Sequence, residues 1–362
     1  MSGGRRARPA AIGAEDRLIA WLRGTLGPPG GKLVGDDAAM LRLDGEWALT
    51  ADSQIEGTHF VRGLDPAAVA RRLLAVNLSD LAAVGAAPAY ALLALAAPPG
   101  FDHRRFLRAF AGAARAAGVV LAGGDLARAP QVVATLALLG RRRPRGRFLR
   151  RDEARAGDAL WAGGTLGESA LGHLLLARGA RLDGRRVTLP APFAGGSLAA
   201  AATAAVRRHL LPAPQLALSA ELARRRRASC IDVSDGLAKD LSRLCAASGV
   251  GAVVEAAALP FAPRTVELAR ALRADAEALA LSGGEDYVLL FTLPARARPP
   301  RGCHRIGSID DGNGVRLRRE GGEVPLRASG WDHLAPEAAS GGLRRAESGP
   351  RGTGPRRRRR GP

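Results

Sequence analysis

Apolar and polar positions repeat with two different periods in the first half of the chain. Helical spacing predicts a helix over residues 14–26 and a longer one from Pro66 to about Gly85, with Asp65 as its capping residue. A further helix is predicted over residues 102–117. Short apolar runs that are typical of strands occupy residues 38–43, 47–55, 89–98 and 131–140. These elements follow one another in the order ββαβαβ.

The second half mixes strands and helices in the same way. Helices are predicted over residues 166–179 and 197–211, and another is predicted to start near Gly236. Strands are predicted at residues 159–164, 229–234, 251–259, 286–294, 304–309 and 314–319. Such a mixture is typical of an α+β protein. We therefore predict two α/β-type domains, residues 12–147 with a ββαβαβ sheet and residues 148–335 with a mixed sheet and helices.

The chain carries 54 basic and 34 acidic residues, a net charge of +20, and the excess is concentrated near its ends. Residues 341–362 hold eight arginines and one glutamate, and residues 1–10 hold three arginines. Residues 1–11 and 336–362 lack apolar periodicity, so we predict that both are disordered basic segments. No aromatic residue lies between the arginines of the tail, so we expect it to touch nucleic acid only non-specifically, if at all.

The three cysteines, Cys230, Cys245 and Cys303, have neither the spacing of a metal site nor that of a disulfide framework. They fit a reducing compartment. The N-terminus has no continuous apolar region of a secretory signal, and the longest apolar stretch, residues 89–100, is too short to cross a bilayer. We therefore predict a cytoplasmic protein that does not bind a membrane.

Aspartates recur where the predicted strands begin or end, and each of these alone has an ordinary explanation as a helix cap or turn residue. One more, Asp80, lies within the long helix between Leu78 and Leu81, where an unpaired carboxylate would be costly. The group comprises Asp36, Asp37, Asp52, Asp80, Asp125, Asp232 and Asp235. Together they need a common counter-charge, and the motifs that contain them hold almost no arginine. A divalent metal supplies it, and carboxylates without Cys or His beside them favour Mg²⁺, usually shared with substrate phosphates. Because Walker and protein-kinase motifs are absent from the sequence, these residues predict a Mg²⁺-dependent nucleotide enzyme of another architecture.

A series of short segments resembles the thiamine-monophosphate kinase family in order and approximate spacing. The segments are "GDDAAML", "DSQIEGTHF", "AVNLSDLAAVGAAP", "GGD", "IDVSDGLAKDL", "LSGGEDYVLLFT" and "GWDHL", within residues 12–335. "NLSDLAAVGA" and "LSGGEDY" match this family more closely than its relatives in the same ATP-binding superfamily. The resemblance implies that ATP and thiamine monophosphate give ADP and thiamine diphosphate. It also implies a homodimer whose N-terminal sheets join into a barrel.

The resemblance also implies the site residues. Metal ligands fall on Asp37, Thr50, Asp52, Asp80, Asp125, Asp232 and Asp235. ATP contacts fall on Gly124, Asp125, Arg151 and Ser234. Substrate contacts fall on His59, Glu285 and Trp331. The chain departs from the family at Ala51, where a hydroxyl residue is usual and Thr50 is next door, and at Leu126, where threonine is common.

No protein nucleophile or general base is expected. The acceptor is a phosphate monoester that is already anionic near neutral pH, because its second pKa is about 6. Its attack on another phosphate needs charge neutralisation and in-line positioning, which several Mg²⁺ ions would provide. Two of the implied substrate contacts have alternative roles. His59 could be a structural histidine near a strand end, and Trp331 could anchor the last segment to the core rather than stack on a heteroaromatic ring.

Two other functions remain open from the sequence. A sister enzyme of the superfamily would share the aspartates. Selenophosphate synthetase and the hydrogenase maturation protein are disfavoured because the cysteines they use are missing. Aminoimidazole ribonucleotide synthetase fits "NLSDLAAVGA" less well. An RNA-binding protein acting through the basic tails is a different class. Deletion of residues 341–362 distinguishes them, because kinase activity would survive and RNA binding would fall.

Overall fold

The computed structural model describes residues 13–27, 30–34 and 37–331. The helices are α1 Ala14–Leu26, α2 Gly30–Leu33, α3 Pro66–Ala83, α4 His103–Ala116, α5 Glu168–Ala177, α6 Ala199–Leu210, α7 Leu216–Leu222, α8 Leu237–Ser248, α9 Thr265–Ala271 and α10 Ala276–Ser282. The strands are β1 Trp47–Ile55, β2 Ala87–Ala97, β3 Val120–Arg128, β4 Val133–Arg141, β5 Asp158–Ala162, β6 Arg181–Asp183, β7 Arg186–Thr188, β8 Ser229–Asp232, β9 Gly251–Glu255, β10 Leu289–Pro294, β11 His304–Asp310, β12 Val315–Arg319 and β13 Gly322–Pro325. The α+β prediction is confirmed.

The first sheet has four strands in the order β1-β4-β2-β3. β4 is antiparallel to both β1 and β2, and β3 runs parallel to β2. α3 packs on one face of this sheet and begins as predicted: the Asp65 carboxylate accepts the Ala67 N–H at 3.0 Å, and Pro66 occupies the first turn. α4 packs beside α3 with its apolar stripe, which includes Phe106 and Phe110.

Two predictions for this sheet are wrong. Residues 38–43 lie in irregular backbone that leaves Met40 80% exposed, so the expected first strand is not formed. The structure has a strand that the predicted order lacks, β3, which contains Gly123 and Gly124. From β1 onwards the observed order is βαβαββ. Glycines are poor strand formers, but a Cβ at Gly124 would overlap the carbonyl oxygen of Leu93 on β2, so close strand pairing requires glycine there.

The second sheet has the strand order β13-β12-β9-β11-β5-β10-β8 and is mostly antiparallel. The parallel pair is β12 with β9. The short elements α7, α9, α10 and β13 were not anticipated by the apolar pattern. Residues 179–199 contain the two-stranded hairpin of β6 and β7. β8, which carries Asp232, is an edge strand of this sheet, so its end is open to contact from the N-terminal half.

α3 joins the two halves. It is buried along almost its whole length, and its apolar side chains share one core cluster with Leu171 of α5 and Val206 of α6. Its polar side chains reach both β1 and β8, through Thr50 and Asp232 respectively. In the described ranges, no helix is long and apolar enough to cross a membrane.

Candidate functional site

β1 and the C-terminal part of α3 bring three predicted metal ligands together. The Thr50 hydroxyl donates to Oδ2 of Asp80 at 2.5 Å. Two residues further along β1, the backbone N–H of Asp52 donates to Oδ1 of Asn77 at 3.0 Å. Side chains alternate along a strand, so Asp52 projects from the same face of β1 as Thr50, towards α3.

β8 adds another carboxylate to this group. The Ser79 hydroxyl of α3 donates to Oδ2 of Asp232 at 2.7 Å, and both side chains are buried. Because Ser79 precedes Asp80 in the helix, the end of β8 lies beside the end of α3. Segments that are more than 150 residues apart in sequence thus place Asp52, Asp80 and Asp232 in one cluster.

The carboxylates interact strongly with one another. Burial, with the charges of Asp80 and Asp235, raises the pKa of Asp52 to about 6. Burial and then the charge of Asp80 raise the pKa of Asp232 to about 7. Burial also raises the pKa of Asp80, opposed by the Thr50 hydrogen bond and by the charge of Arg151. Negative charge therefore exceeds positive charge inside the cluster, which attracts a cation.

The cluster is not a closed metal cage. Across the parts of the chain that the structure describes, no three His, Cys, Asp or Glu side chains are arranged to hold one ion. Mg²⁺ commonly takes one or two protein carboxylates and completes its coordination with water and substrate phosphates. Carboxylate oxygens next to the hydroxyl of Thr50 are a suitable donor set for that mode of binding. The residues therefore fit Mg²⁺ bound together with a nucleotide.

Asp235 has basic partners, although the motif around it contains no arginine. Its Oδ2 lies 2.7 Å from Nη2 of Arg243 and 3.2 Å from Nζ of Lys239. Both cations belong to α8, which starts directly after the turn that contains Asp235. The spacing of four residues between Asp235 and Lys239 was the signal in the sequence for this ion pair.

A carboxylate that the sequence interpretation missed holds the turn of Asp235 in shape. Oδ2 of Asp240 accepts the backbone N–H groups of Ser234, Asp235 and Gly236 at 3.0, 2.9 and 3.2 Å. Its Oδ1 accepts from Arg243 at 2.7 Å. Burial, followed by the charge of Asp235, raises the pKa of Asp240 to about 6. Ser234, a predicted ATP contact, is therefore fixed through its backbone.

Gly124 and Asp125 lie on β3, the edge strand opposite β1, and Asp125 is on the face of the sheet that points away from α3. Asp125 aligns across the strands with Ala94, Thr135 and Ser53, a row that faces away from α3. Neighbouring strands are about 4.8 Å apart, so β3 lies about 14 Å from β1. One chain therefore does not bring Asp125 to the carboxylate cluster. Asp37 is an exposed residue of the bend that precedes β1, and Asp36 lies outside the described residues.

Arg151 lies between the cluster and a cavity of about 520 Å³. The cavity is lined by Trp47, Phe148, Arg150 and Arg151, together with Cys230 and Ile231 of β8. Its volume is in the range of small-molecule sites, which are typically mostly apolar with a few polar groups. The predicted ATP contact Arg151 is thus next to both the carboxylates and a space of suitable size.

The predicted substrate contacts lie in one turn and two irregular segments. Nδ1 of His59 accepts the Ile55 N–H at 3.1 Å, which leaves the ring proton on Nε2. The Glu285 backbone has a φ of 57° and donates its N–H to the Ser234 carbonyl at 2.7 Å. The Trp331 N–H donates to the Asp235 carbonyl at 3.1 Å. Glu285 and Trp331 are thereby attached to the turn that carries Ser234 and Asp235.

The two departures from the family pattern have different surroundings. Ala51 projects from the face of β1 opposite to Thr50, so the hydroxyl that contacts Asp80 is present despite Ala51. Leu126 is partly buried and packs against the main core cluster.

The chain has a four-stranded sheet with helices on one face, then a mixed sheet, and aspartates where the two meet. This arrangement defines an enzyme of the AIR synthase-related class. Residues 35–141 match the family model described as AIR synthase related protein, N-terminal domain. Thiamine-monophosphate kinase of Salmonella typhimurium is 37% identical over 323 residues, which cover 83% of this chain and 91% of that protein. The chain belongs to the thiamine-monophosphate kinase family, and it is a phosphotransferase.

Solved structures agree with this assignment. The thiamine-monophosphate kinase of Stenotrophomonas maltophilia K279a is 35% identical with a TM-score of 0.70, covering 84% of this chain and 96% of that chain. AaThiL, complexed with AMPPCP and TMP, is 29% identical with a TM-score of 0.70, covering 90% of this chain and all of that chain. The sequence-based resemblance is confirmed.

Proposed function

We propose that this protein transfers the γ-phosphoryl group of ATP to thiamine monophosphate and releases ADP and thiamine diphosphate. The observation that carries the proposal is the meeting of Asp52, Asp80 and Asp232 beside Arg151 and a cavity of about 520 Å³. The name of the relatives and the ligands of AaThiL support the choice of substrates.

Asp52, Asp80 and Asp232, with Thr50 beside them, are the residues that would hold Mg²⁺ with the nucleotide. The ion would neutralise negative charge between the two phosphate groups. Asp37, Asp125 and Asp235 remain proposed ligands for further ions. For Asp235, a metal ion has to compete with Arg243 and Lys239, so we expect that position to fill last.

The nucleotide is proposed to occupy the cavity beside β8. Trp47 and Phe148 offer aromatic surfaces there, and Arg151 offers a guanidinium between the cavity and Asp80. An arginine in that place favours contact with phosphate oxygens. Gly124, Asp125 and Ser234 are the other proposed ATP contacts.

The reaction needs no base from the protein. An oxygen of the acceptor phosphate forms a bond to the γ-phosphorus of ATP, the bond from that phosphorus to the β–γ bridging oxygen breaks, and its electron pair leaves with ADP. Positioning and electrostatic stabilisation supply most of the rate in such transfers. His59, Glu285 and Trp331 are proposed to bind and orient the thiamine part.

A homodimer is proposed because, among residues 13–27, 30–34 and 37–331, none covers one face of the first sheet. This open face comprises Leu49, Ala51, Leu92, Ala94 and Asp125, and Leu49 and Leu92 are 72% and 45% exposed. Covering this face with a second copy would bury these leucines and produce the barrel that the resemblance implies. It would also place Asp125 at the interface. The three free cysteines fit the proposed cytoplasmic location.

The direct test is the conversion itself. The purified full chain is incubated with ATP, Mg²⁺ and thiamine monophosphate, and thiamine diphosphate is measured. EDTA and unphosphorylated thiamine are the controls. We expect product only from the monophosphate and only without EDTA. If the protein is folded and binds ATP but forms no product, the substrate assignment is contradicted. The substrates of the sister enzymes are then the next to be tested.

Asp80→Asn tests the cluster and Asp311→Asn is the matched control, because Asp311 is an exposed aspartate of a loop in the second sheet. We expect Asp80→Asn to abolish turnover while retaining the fold, and Asp311→Asn to be unchanged. Normal activity of Asp80→Asn at limiting Mg²⁺ contradicts the metal assignment.

A further inference from the structure

Arg72 is an arginine whose side chain is fully buried inside α3. A buried guanidinium is costly unless its donors are used. Its Nε donates to Oε1 of Gln54 on β1 at 2.7 Å, one terminal nitrogen donates to the His209 carbonyl at the end of α6, and the other donates to Oε1 of Glu285. One side chain therefore connects the first sheet, α6 and the loop before β10.

Both oxygens of Glu285 are engaged by this group. Oε2 lies 3.2 Å from Nδ1 of His209, which is also 3.1 Å from the hydroxyl of Ser169. The carboxylate is nevertheless 27% exposed, whereas Arg72 has no exposed surface. The arginine thus supports Glu285 from the core side and leaves part of the carboxylate accessible to a ligand.

The backbone of Glu285 is also fixed. Glu285 and Tyr287 both have positive φ values, 57° and 50°, which non-glycine residues adopt only when their surroundings hold them. The Tyr287 N–H donates to the Val233 carbonyl at 2.8 Å, and Asp286 accepts the N–H groups of Gly167 and Ser169 at 2.7 and 3.2 Å. With the backbone held, the direction of the Glu285 side chain depends mainly on Arg72 and His209.

Arg72 and Asp80 belong to the same helix, eight residues or about 12 Å apart. We propose that Arg72 is a positioning residue, which holds the Glu285 carboxylate at a fixed distance from the Asp80 end of α3 and so aligns the bound thiamine monophosphate with the phosphoryl donor. The inference rests on the proposed function and on the substrate contact of Glu285. It adds a residue that touches neither the substrate nor the metal.

The test is steady-state kinetics of Arg72→Met, which keeps the length and apolar stem of the side chain and removes its donors. Arg72→Lys keeps the charge with fewer, differently placed donors, and Arg71→Met alters the exposed neighbour as a matched control. We expect Arg72→Met to raise KM for thiamine monophosphate about tenfold, with KM for ATP changed less than about twofold. Arg72→Lys should lie between Arg72→Met and wild type, and Arg71→Met should equal wild type.

Thermal melting separates a purely structural role. A lower Tm with wild-type KM for thiamine monophosphate in Arg72→Met overturns the proposal, and so does an equal rise in both KM values. If Arg72→Met does not fold, Arg72→Lys decides: an unchanged KM for thiamine monophosphate overturns the proposal, and a selective rise supports it. If wild type and Arg71→Met are folded but form no thiamine diphosphate, the proposed function is overturned together with this inference. If both are active and Arg72→Met has unaffected kinetics, this inference alone is overturned.

Discussion

Thr50 and Asp80 are joined by a hydrogen bond of 2.5 Å between the hydroxyl oxygen on β1 and the carboxylate on α3. The bond holds the edge strand of the first sheet against the helix that carries the carboxylate. It also lowers the pKa of Asp80, in opposition to burial. Thr50 thereby keeps Asp80 nearer to the ionised form that a cation binds.

Thr50→Val removes this hydroxyl and keeps the β-branched shape. We expect the half-saturating Mg²⁺ concentration of the kinase reaction to rise about tenfold or more, since a hydrogen bond to a charged group is worth about 1.5 kcal/mol or more. The measurement is a Mg²⁺ titration of activity at saturating substrates. Thr50→Ser keeps the hydroxyl and should change the value less than about twofold. Equal Mg²⁺ dependence of Thr50→Val and wild type would show that the hydroxyl is unimportant.

The effect of Mg²⁺ on thermal stability is expected to increase with pH. Burial raises the pKa of Asp52 from 3.8 to about 6 and that of Asp232 to about 7, so the folded protein keeps protons that the unfolded chain has lost. Without metal, these two groups therefore make stability fall as pH rises from about 4 to about 7. Mg²⁺ binds the ionised carboxylates and offsets that loss.

Tm measured with EDTA and with Mg²⁺ tests this at several pH values. The difference should be small at pH values near 5 and should grow through about 7, and Asp80→Asn should reduce it. A difference that is constant over this interval, or that is as large in Asp80→Asn as in wild type, argues against metal binding at the cluster.

Asp240→Ala leaves three backbone N–H groups of the turn at Ser234 without their acceptor. Because the carboxylate is 1% exposed, we expect the free energy of unfolding to fall by about 3 kcal/mol and the kinase activity to be lost. Urea unfolding and the activity assay are the measurements. Asp275→Ala is the control: Asp275 caps α10 through the Glu277 N–H at 2.9 Å, so about 1 kcal/mol should be lost with activity retained. Similar activity of the two variants would refute a special role for Asp240.

Leu49→Asp places a charge on the open face, on its edge strand β1. We expect it to convert a dimer into a monomer, because burying the charge would cost more than the apolar contact provides. Sedimentation velocity of the full chain measures the change. Val266→Asp is the control, since Val266 is 46% exposed on α9 in the other half of the chain. A wild type that sediments as a monomer at all concentrations tested rejects the proposed dimer.

The apolar pattern was sufficient for the long helices, whereas it missed the nine-residue strand β3. α1 has the predicted bounds, and α3 begins with the predicted Asp65 and Pro66 signal, because these depend on local spacing and capping. Residues 38–43 have a strand-like pattern as well, but a strand needs a pairing partner and they have irregular backbone in this chain. The apolar pattern of one segment does not show whether another strand lies beside it to pair with.

The sequence proposes a set of site residues, but it predicts their geometry only in part. Thr50 and Asp80 meet because β1 and α3 are neighbours in sequence and in space, whereas Arg72 and Glu285 are 213 residues apart. The one signal for Arg72 in the sequence was its position as an arginine among apolar helix residues. That signal does not indicate which residue the arginine contacts. The position of Asp125 depends on sheet register, which sets its face and its distance from Asp52.

The placement of Arg72 and Asp80 on one buried helix limits how the family can change during evolution. One residue inserted between them would rotate Asp80 by about 100° relative to Arg72 and move it by about 1.5 Å along the axis. Arg72 could not then hold its ion pair with Glu285 while Asp80 holds its hydrogen bond with Thr50. Insertions and deletions in related chains are therefore expected in the loops on either side of α3, whereas the number of residues between positions 72 and 80 is expected to stay constant.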